Sequence, residues 1–337
     1  MGHINIPIFI PHLGCPNQCV FCNQRHISGT VEFDESSVEH QIEEFLSFEN
    51  HFDKEIAFFG GSFTGIDTNL MIRLLTLAQK YVDAGKVIGI RMSTRPDYIS
   101  EEILDILEKF SISCVELGIQ SINGEVLKAS KRGHTVEQTK NAINLLKSRQ
   151  IPFVGQMMIG LPKSQLEDEL DCAKFICEMG ASGCRIYPAL VFKQTELEKL
   201  TLEKQYIPLT LEEAISRSAE VLEVFVKNGV NCLRIGLCES ENLHSNDSFV
   251  AGPNHPSIGE MVKSKLYLKK IVEFIDHHFK NCKEILILCP KGATSQVIGN
   301  GRKNINYLKK IYGIKNVVVK ENEELFAYEI KILNKED

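Results

Sequence analysis

Apolar and polar residues alternate along this chain in two rhythms. Short runs rich in β-branched residues read as strands: Ile4–Ile10, Glu55–Phe59, Val87–Met92, Cys114–Ile119, Phe153–Ile159 and Cys184–Leu190. Between them apolar residues recur at helical spacing over Leu70–Ala84, Ile99–Phe110, Val136–Gln150 and Gln165–Met179, with Thr135 placed to cap the third of these. Thr210–Asn228 is strongly amphipathic, Leu233–Leu237 reads as a further strand, and the polar stretch 239–257 reads as a long loop. A helix over Ile258–Phe279 follows. The rest reads as a strand (Glu284–Leu288), a short helix, a Gly-rich turn, a helix (Lys303–Tyr312) and two strands (Val317–Val319 and Phe326–Ile332).

Six strand-then-helix units in series predict an α/β fold, a partial (β/α)6 barrel of the TIM type. A small α+β unit follows, with the boundary drawn between residues 255 and 256. In such barrels reactive groups gather where strands end. The distinctive residues of this chain fall there: the cysteines after the first strand, Gly60-Gly61-Ser62, Ser93-Thr94-Arg95, Gln120-Ser121 and Gly160-Leu161-Pro162.

A chain of 337 residues, 43% hydrophobic, can bury one large core or two smaller ones. No run of 18 apolar residues predicts a membrane span, and the start lacks the basic-then-apolar pattern of a signal peptide. Of 11 cysteines, eight stand singly in apolar segments, as at Cys114, Cys172 and Cys289, which suits reduced thiols in the cytoplasm. The net charge of −6 is uneven. Residues 261–320 hold 13 Lys and Arg against 3 Asp and Glu, a balance of +10 that leaves −16 elsewhere. That asymmetry fits a polyanion at the tail, or a solvated lysine-rich surface.

Cys15, Cys19 and Cys22 lie together in a polar loop, spaced by three residues and then two. Thiolates hold iron–sulfur clusters. Three of them fix three irons of a four-iron cube and leave the fourth open to a small molecule. A zinc site, with His12 or His26 as a further ligand, stays open as an alternative.

This spacing, with Phe21 before the last cysteine, resembles the signature of radical S-adenosylmethionine (SAM) enzymes. The resemblance continues in order through Phe59-Gly-Gly-Ser-Phe-Thr-Gly65, Ser93-Thr-Arg-Pro-Asp97, Glu116-Leu-Gly-Ile-Gln-Ser121, Lys131-Arg-Gly-His-Thr135, Met158-Ile-Gly-Leu-Pro162 and Arg185-Ile-Tyr-Pro-Ala-Leu-Val191 with Thr195-Glu-Leu197. As a set, over about residues 5–240, these segments resemble the catalytic subunit of Elongator and its bacterial relatives. The resemblance implies a [4Fe-4S] cluster on Cys15, Cys19 and Cys22. It also implies SAM held by Phe21, Gly60, Gly61, Ser62, Thr64, Ser93, Arg95, Gln120, Met158 and Leu161. Reductive cleavage of SAM to a 5′-deoxyadenosyl radical would follow, with the electron from a flavodoxin or ferredoxin. Tyr187 and Lys193 are candidates for the substrate side. Two features depart from Elongator. Its cysteine spacing is longer, and fewer than 100 residues follow position 240 here, too few for an acetyltransferase unit. Carboxymethylation of wobble uridine is therefore not carried over.

Val297-Ile-Gly-Asn-Gly-Arg-Lys-Asn-Ile305 resembles the Gly-x-x-Gly loop of KH domains, which clamps a nucleotide backbone. Gly299, Asn300, Gly301, Arg302 and Lys303 are its candidate RNA contacts. The expected function is thus a radical SAM enzyme modifying a nucleotide in RNA, above all tRNA. Two alternatives are the same chemistry on a small molecule or peptide, as in oxygen-independent coproporphyrinogen oxidases, and a non-enzymatic iron–sulfur RNA-binding module.

Overall fold

The computed structural model describes residues 3–10, 13–15, 19–23, 33–48, 52–237, 248–279 and 282–335. Seven strands pair in parallel in the order β1 (His3–Phe9), β2 (Asp53–Phe59), β3 (Gly89–Thr94), β4 (Ile112–Gln120), β5 (Phe153–Ile159), β6 (Gly183–Pro188) and β8 (Asn231–Ile235). Strand β7 (Val191–Phe192) pairs instead with β9 (Phe249–Ala251) in a small antiparallel ribbon. The main sheet is a partial barrel, as the strand–helix alternation predicts, and β8 supplies a seventh strand.

Its central strands β4 and β5 are buried on both faces. In β4 every residue from Cys114 to Gln120 is inaccessible, because one face meets the barrel interior and the other the outer helices. Those helices are α1 (Val38–Ser47), α2 (Thr68–Asp83), α3 (Glu101–Leu107), α4 (Gly124–Ala129), α5 (Val136–Ser148), α6 (Leu166–Glu178), α7 (Glu196–Leu202) and α8 (Leu211–Lys227). Thr135 and Thr210 close full capping boxes with Gln138 and Glu213. The helix expected over Ile99–Phe110 is shorter. Ser100, extended at φ −136°, caps α3 by accepting from Ile103 N, and a 3₁₀ turn over Pro96–Tyr98 precedes it.

The tail comprises α9 (Ile258–His278), β10 (Glu284–Cys289), α10 (Thr294–Ile298), α11 (Lys303–Tyr312), β11 (Asn316–Glu321) and β12 (Lys331–Asn334). Strand β10 is central, parallel to β11 and antiparallel to β12. The last strand falls later than the Phe326–Ile332 run suggests. Phe326 is 77% exposed, and Tyr328 turns the chain at φ +64° while its N–H donates to Tyr267 Oη. Helix α9 serves two cores. Ile258, Val262 and Leu266 complete the barrel core, whereas Tyr267, Ile271 and Ile275 pack with Ile285, Ile287 and Val297 in the tail.

Part of the tail's positive excess is used here. Lys269 pairs with Glu220 at 2.7 Å and Glu223 at 2.6 Å on α8, and Lys265 approaches Glu212 at 3.9 Å. Some lysines that suggested a polyanion therefore dock the tail onto an acidic barrel helix.

Candidate active site at the strand ends

The cysteine loop and the glycine loop after β2 meet backbone to backbone. Gly14 has φ +72°, and a Cβ there would stand 2.2 Å from Ser62 O. A Cβ on Gly61 would stand 2.4 Å from Leu13 O, and one on Gly65 2.6 Å from Gly14 O. These glycines thus let two loops close on each other. Gly14 and Gly65 were not singled out from the sequence, because their partners lie some 50 residues away. The far side of the cysteine loop is tied as well. Val20 N donates to Ser130 O at 3.1 Å, Leu197 N donates to Val20 O at 2.8 Å, and Asn23 Nδ2 donates to Lys193 O at 3.2 Å.

A cavity of about 680 Å³ opens at these strand ends. Cys15, Cys19 and Cys22 line it, together with Phe21, Gly60, Gly61, Ser93, Arg95, Gln120, Met158 and Tyr187. Ser62, Thr64, Leu161 and Lys193 do not reach the lining. Ser62 and Thr64 are buried beneath it, each hydrogen-bonded to Thr94 Oγ1 at 2.8 and 2.6 Å, and Ser62 Oγ accepts from Arg95 N. Leu161 packs with Val126, Met158 and Ala189 behind the wall. Lys193 follows Phe192, which does line the cavity. His12 and His26 lie outside the described residues.

Two guanidinium groups stand beside the thiols. Arg132 Nη1 donates to Cys19 Sγ at 3.4 Å, its Nη2 donates to Gly118 O at 2.7 Å, and its buried Nε has no partner. The sequence reading missed Arg132, which lies 113 positions from Cys19. Arg95 is 2% exposed. Its Nε and Nη2 grip Asp97 at 2.9 and 2.7 Å, and its Nη1 is buried without a partner. Burial works against the Asp97 carboxylate, yet the hydrogen bonds and charge of Arg95 hold its pKa below the usual range. Burial raises the Cys15 thiol pKa, opposed by the charges of Arg132 and Arg95. Gln120 adds a buried, unpartnered Oε1 and sits at φ +65° beside a bulge in β4. A non-glycine residue in that region costs about 1 kcal/mol or more, a local strain at the cavity wall.

The cavity floor is a buried ion network. Glu116, fully inaccessible, accepts from Arg185 Nη2 at 2.8 Å, Gln156 Nε2 at 2.7 Å and Arg91 Nη1 at 3.3 Å, and ion-pairs with Arg185, while Arg91 also pairs with Glu55 at 2.7 Å. Two arginines face two glutamates, so this floor is charge-balanced. One wall is fixed from outside. Gly160 N donates to Glu169 Oε1 at 2.7 Å, Tyr206 Oη donates to Gly160 O at 2.6 Å, and Arg217 grips Glu169 at 2.6 and 2.8 Å. Gly160, following Met158 and Ile159, is thereby held at both its N–H and its C=O.

The residues fit an electron-deficient, anion-bearing group. Three cysteine side chains, two cationic side chains with unpartnered buried nitrogens and a close-approach glycine pair line one cavity. Among the described residues no three His, Cys, Asp or Glu converge on a point that would hold a single metal ion.

In the tail, the candidate RNA residues form the connection between α10 and α11. Gly299 (φ +81°) lies against Asn304, where a Cβ would meet the Asn304 side chain and backbone N at 2.9 Å. Asn304 Nδ2 in turn reaches Ser264 O and Oγ on α9 at 3.1 and 3.0 Å. Gly299 therefore packs, whereas Asn300, Gly301, Arg302 and Lys303 are exposed.

An open parallel barrel with three cysteines lining the cavity at its strand ends defines the radical SAM class of enzymes. The sequence profile of the radical SAM superfamily matches residues 9–176, and that of the radical SAM C-terminal domain matches 181–268. The chain belongs to the radical SAM superfamily and is an enzyme of that class, whose cofactors are a [4Fe-4S] cluster and SAM. It is 28% identical over 231 residues to an uncharacterised protein of Methanocaldococcus jannaschii, covering 65% of this chain and 70% of that one. It is 37% identical over 143 residues to the tRNA uridine(34) acetyltransferase of Methanocaldococcus infernus, 41% of this chain and 27% of that one. It is 33% identical over 138 residues to human Elongator complex protein 3, 39% and 25% respectively. The chain thus spans about a quarter of the length of these named relatives. In fold it is similar to the archaeal Elp3 of Methanocaldococcus infernus, with a TM-score of 0.62 at 24% identity over 80% of this chain and 63% of that one. No helix among the described residues is long and apolar enough to cross a membrane.

Proposed function

We propose that this chain is a radical SAM enzyme that modifies a nucleotide in tRNA. Cys15, Cys19 and Cys22 would hold the cluster. When bound, the cluster and SAM supply a carbon-centred radical able to take a hydrogen atom from a substrate. This chain's own residues do the rest. Arg95 and Arg132, each with a buried unpartnered nitrogen, are suited to a carboxylate such as SAM's. Asp97 and Gly118 O hold those two guanidiniums in place. Gly60 and Gly61 allow backbone approach, while Gln120, Ser93 and Met158 wall the space. Glu169, Tyr206 and Arg217 fix the Gly160 peptide behind Met158. Tyr187, on the lining, faces the substrate side. The electron comes from a flavodoxin- or ferredoxin-type protein.

The observation that carries this reading is the meeting of three thiols and two under-partnered guanidiniums in one cavity. The tRNA substrate is supported by the similarity to the tRNA uridine(34) acetyltransferase of Methanocaldococcus infernus. The test is anaerobic reconstitution with iron and sulfide, then incubation with SAM, a reductant and bulk tRNA. We expect about four irons per chain, 5′-deoxyadenosine release and a mass change in one tRNA nucleoside, all lost in Cys19→Ala. Fully loaded protein that releases no 5′-deoxyadenosine, or a site that takes up only zinc, would overturn it.

A further inference from the structure

We infer that the outer face of α11 is a docking stripe for RNA, placed at the same end of the molecule as the cavity mouth; the inference rests on the tRNA reading above. The helix has two faces. Asn304, Ile305 and Leu308 turn inward and are buried. Lys303, Asn306, Tyr307 and Lys310 stand at i, i+3, i+4 and i+7, all exposed, and so form one outward stripe. Arg302 extends it at the N-terminal end, in the left-handed region at φ +61°.

Three observations point to a nucleic acid as the occupant. The first is charge. The α9 lysines Lys263, Lys265 and Lys269 are spent on glutamates, whereas Arg302, Lys303 and Lys310 have no carboxylate partner among the described residues. Unneutralised cations on one face suit a run of phosphates. The second is Tyr307, 41% exposed in the middle of those cations. A half-exposed ring flanked by lysines offers a base a surface to stack on while phosphates meet the charges. The third is placement. The start of α11 is held to the first turns of α9 by Asn304 to Ser264, and α10 by Gln296 Nε2 to Glu260 Oε2 at 2.9 Å. Those turns begin beside the end of β8, where a Cβ on Gly236 would touch Ile258 at 2.6 Å and Leu237 lines the cavity. Strand β8 is parallel to the others, so the start of α11 lies toward the side of the sheet where the strands end and the cysteines lie. An RNA held there has one part of its length near the mouth.

The test is binding of bulk tRNA to the anaerobically purified full chain, read by fluorescence anisotropy from about 50 to 200 mM salt. The variant is the triple change Lys303→Glu, Tyr307→Ala and Lys310→Glu, with Lys303→Arg, Tyr307→Phe and Lys310→Arg as its conservative counterpart. We expect the first to lose tenfold or more in affinity and its log–log salt slope to flatten by about 1.4–1.8 for two lost phosphate contacts. The conservative variant should bind as the natural chain does, and dithionite-driven release of 5′-deoxyadenosine without RNA should be unchanged in all three. If the natural chain binds tRNA and the first variant binds equally well, the stripe is refuted while the proposed function stands. If the conservative variant fails as badly as the first, neither charge nor ring is being read, and the stripe is again refuted. An effect confined to flavodoxin-driven turnover would give the face to an acidic protein instead. Absence of tRNA binding by the natural chain would overturn the stripe and the substrate reading together.

Discussion

Acidification should destabilise this protein through one residue, His134. It lies 4% exposed behind the cavity, and neither ring nitrogen has a hydrogen-bond partner of good geometry. Burial is the main reason its pKa drops from 6.5 to about 3, with the neighbouring Arg132 charge adding to the drop. The folded chain therefore keeps His134 neutral, whereas the unfolded chain protonates it below its ordinary value. The stabilisation from a neutral His134 is complete above about pH 6.5 and lost as pH falls toward the folded value. At about pH 5 the gap below the unfolded value is about 1.5 units, and at about 1.36 kcal/mol per unit the loss is about 2 kcal/mol. Other groups titrate over the same range, so the useful quantity is a difference. His134→Gln cannot take up this proton. Urea unfolding of reduced protein at about pH 7.5 and pH 5 should show the natural chain losing about 2 kcal/mol more than the variant. Equal losses in both would refute the assignment of a buried neutral imidazole.

Other substitutions probe the loops and the wall. Gly14→Ala would place a methyl 2.2 Å from Ser62 O at φ +72°, and should cost about 2–4 kcal/mol and sharply reduce iron content after reconstitution, measured by metal analysis. Glu169→Ala would strand Arg217, itself 17% exposed, and leave Gly160 N unpaired; we expect about 3 kcal/mol of destabilisation, read as a lower unfolding midpoint, and weaker SAM binding by calorimetry. Because the cysteines line an open cavity, exposing reconstituted protein to air should bleach its visible absorption within hours, and retention of full colour over days would contradict an accessible cluster.

The sequence was most informative where patterns are local. Phe153–Ile159 is a strand with the bounds its apolar run suggests, and Lys303–Tyr312 is a helix over its full predicted span. Interactions across long sequence distances were hidden. Arg132 reads as one basic residue among several until β4 and the cysteine loop come together around it. Ser62 and Thr64 sit in a motif beside the cavity, but their hydroxyls turn to Thr94, a contact 30 or so positions away. Phe326–Ile332 shows the opposite failure: its alternation suits a strand, yet the hydrogen bond from Tyr328 to Tyr267 holds a turn, and pairing begins only at Lys331. The charge excess of residues 261–320 was real, but sequence alone could not separate lysines that brace α9 against α8 from those that remain open.

Helix α9 also decides where the chain can be divided. A cut at residue 256 would not release a self-sufficient barrel, because Ile258, Val262 and Leu266 would leave with the tail and bare the flank of β8. A shared rod of this kind makes heat-induced melting of the two halves a joint event, visible as one calorimetric peak. It also means that any tug on the tail by a bound partner is delivered, through 21 residues of continuous helix, to the strand whose end borders the reaction chamber.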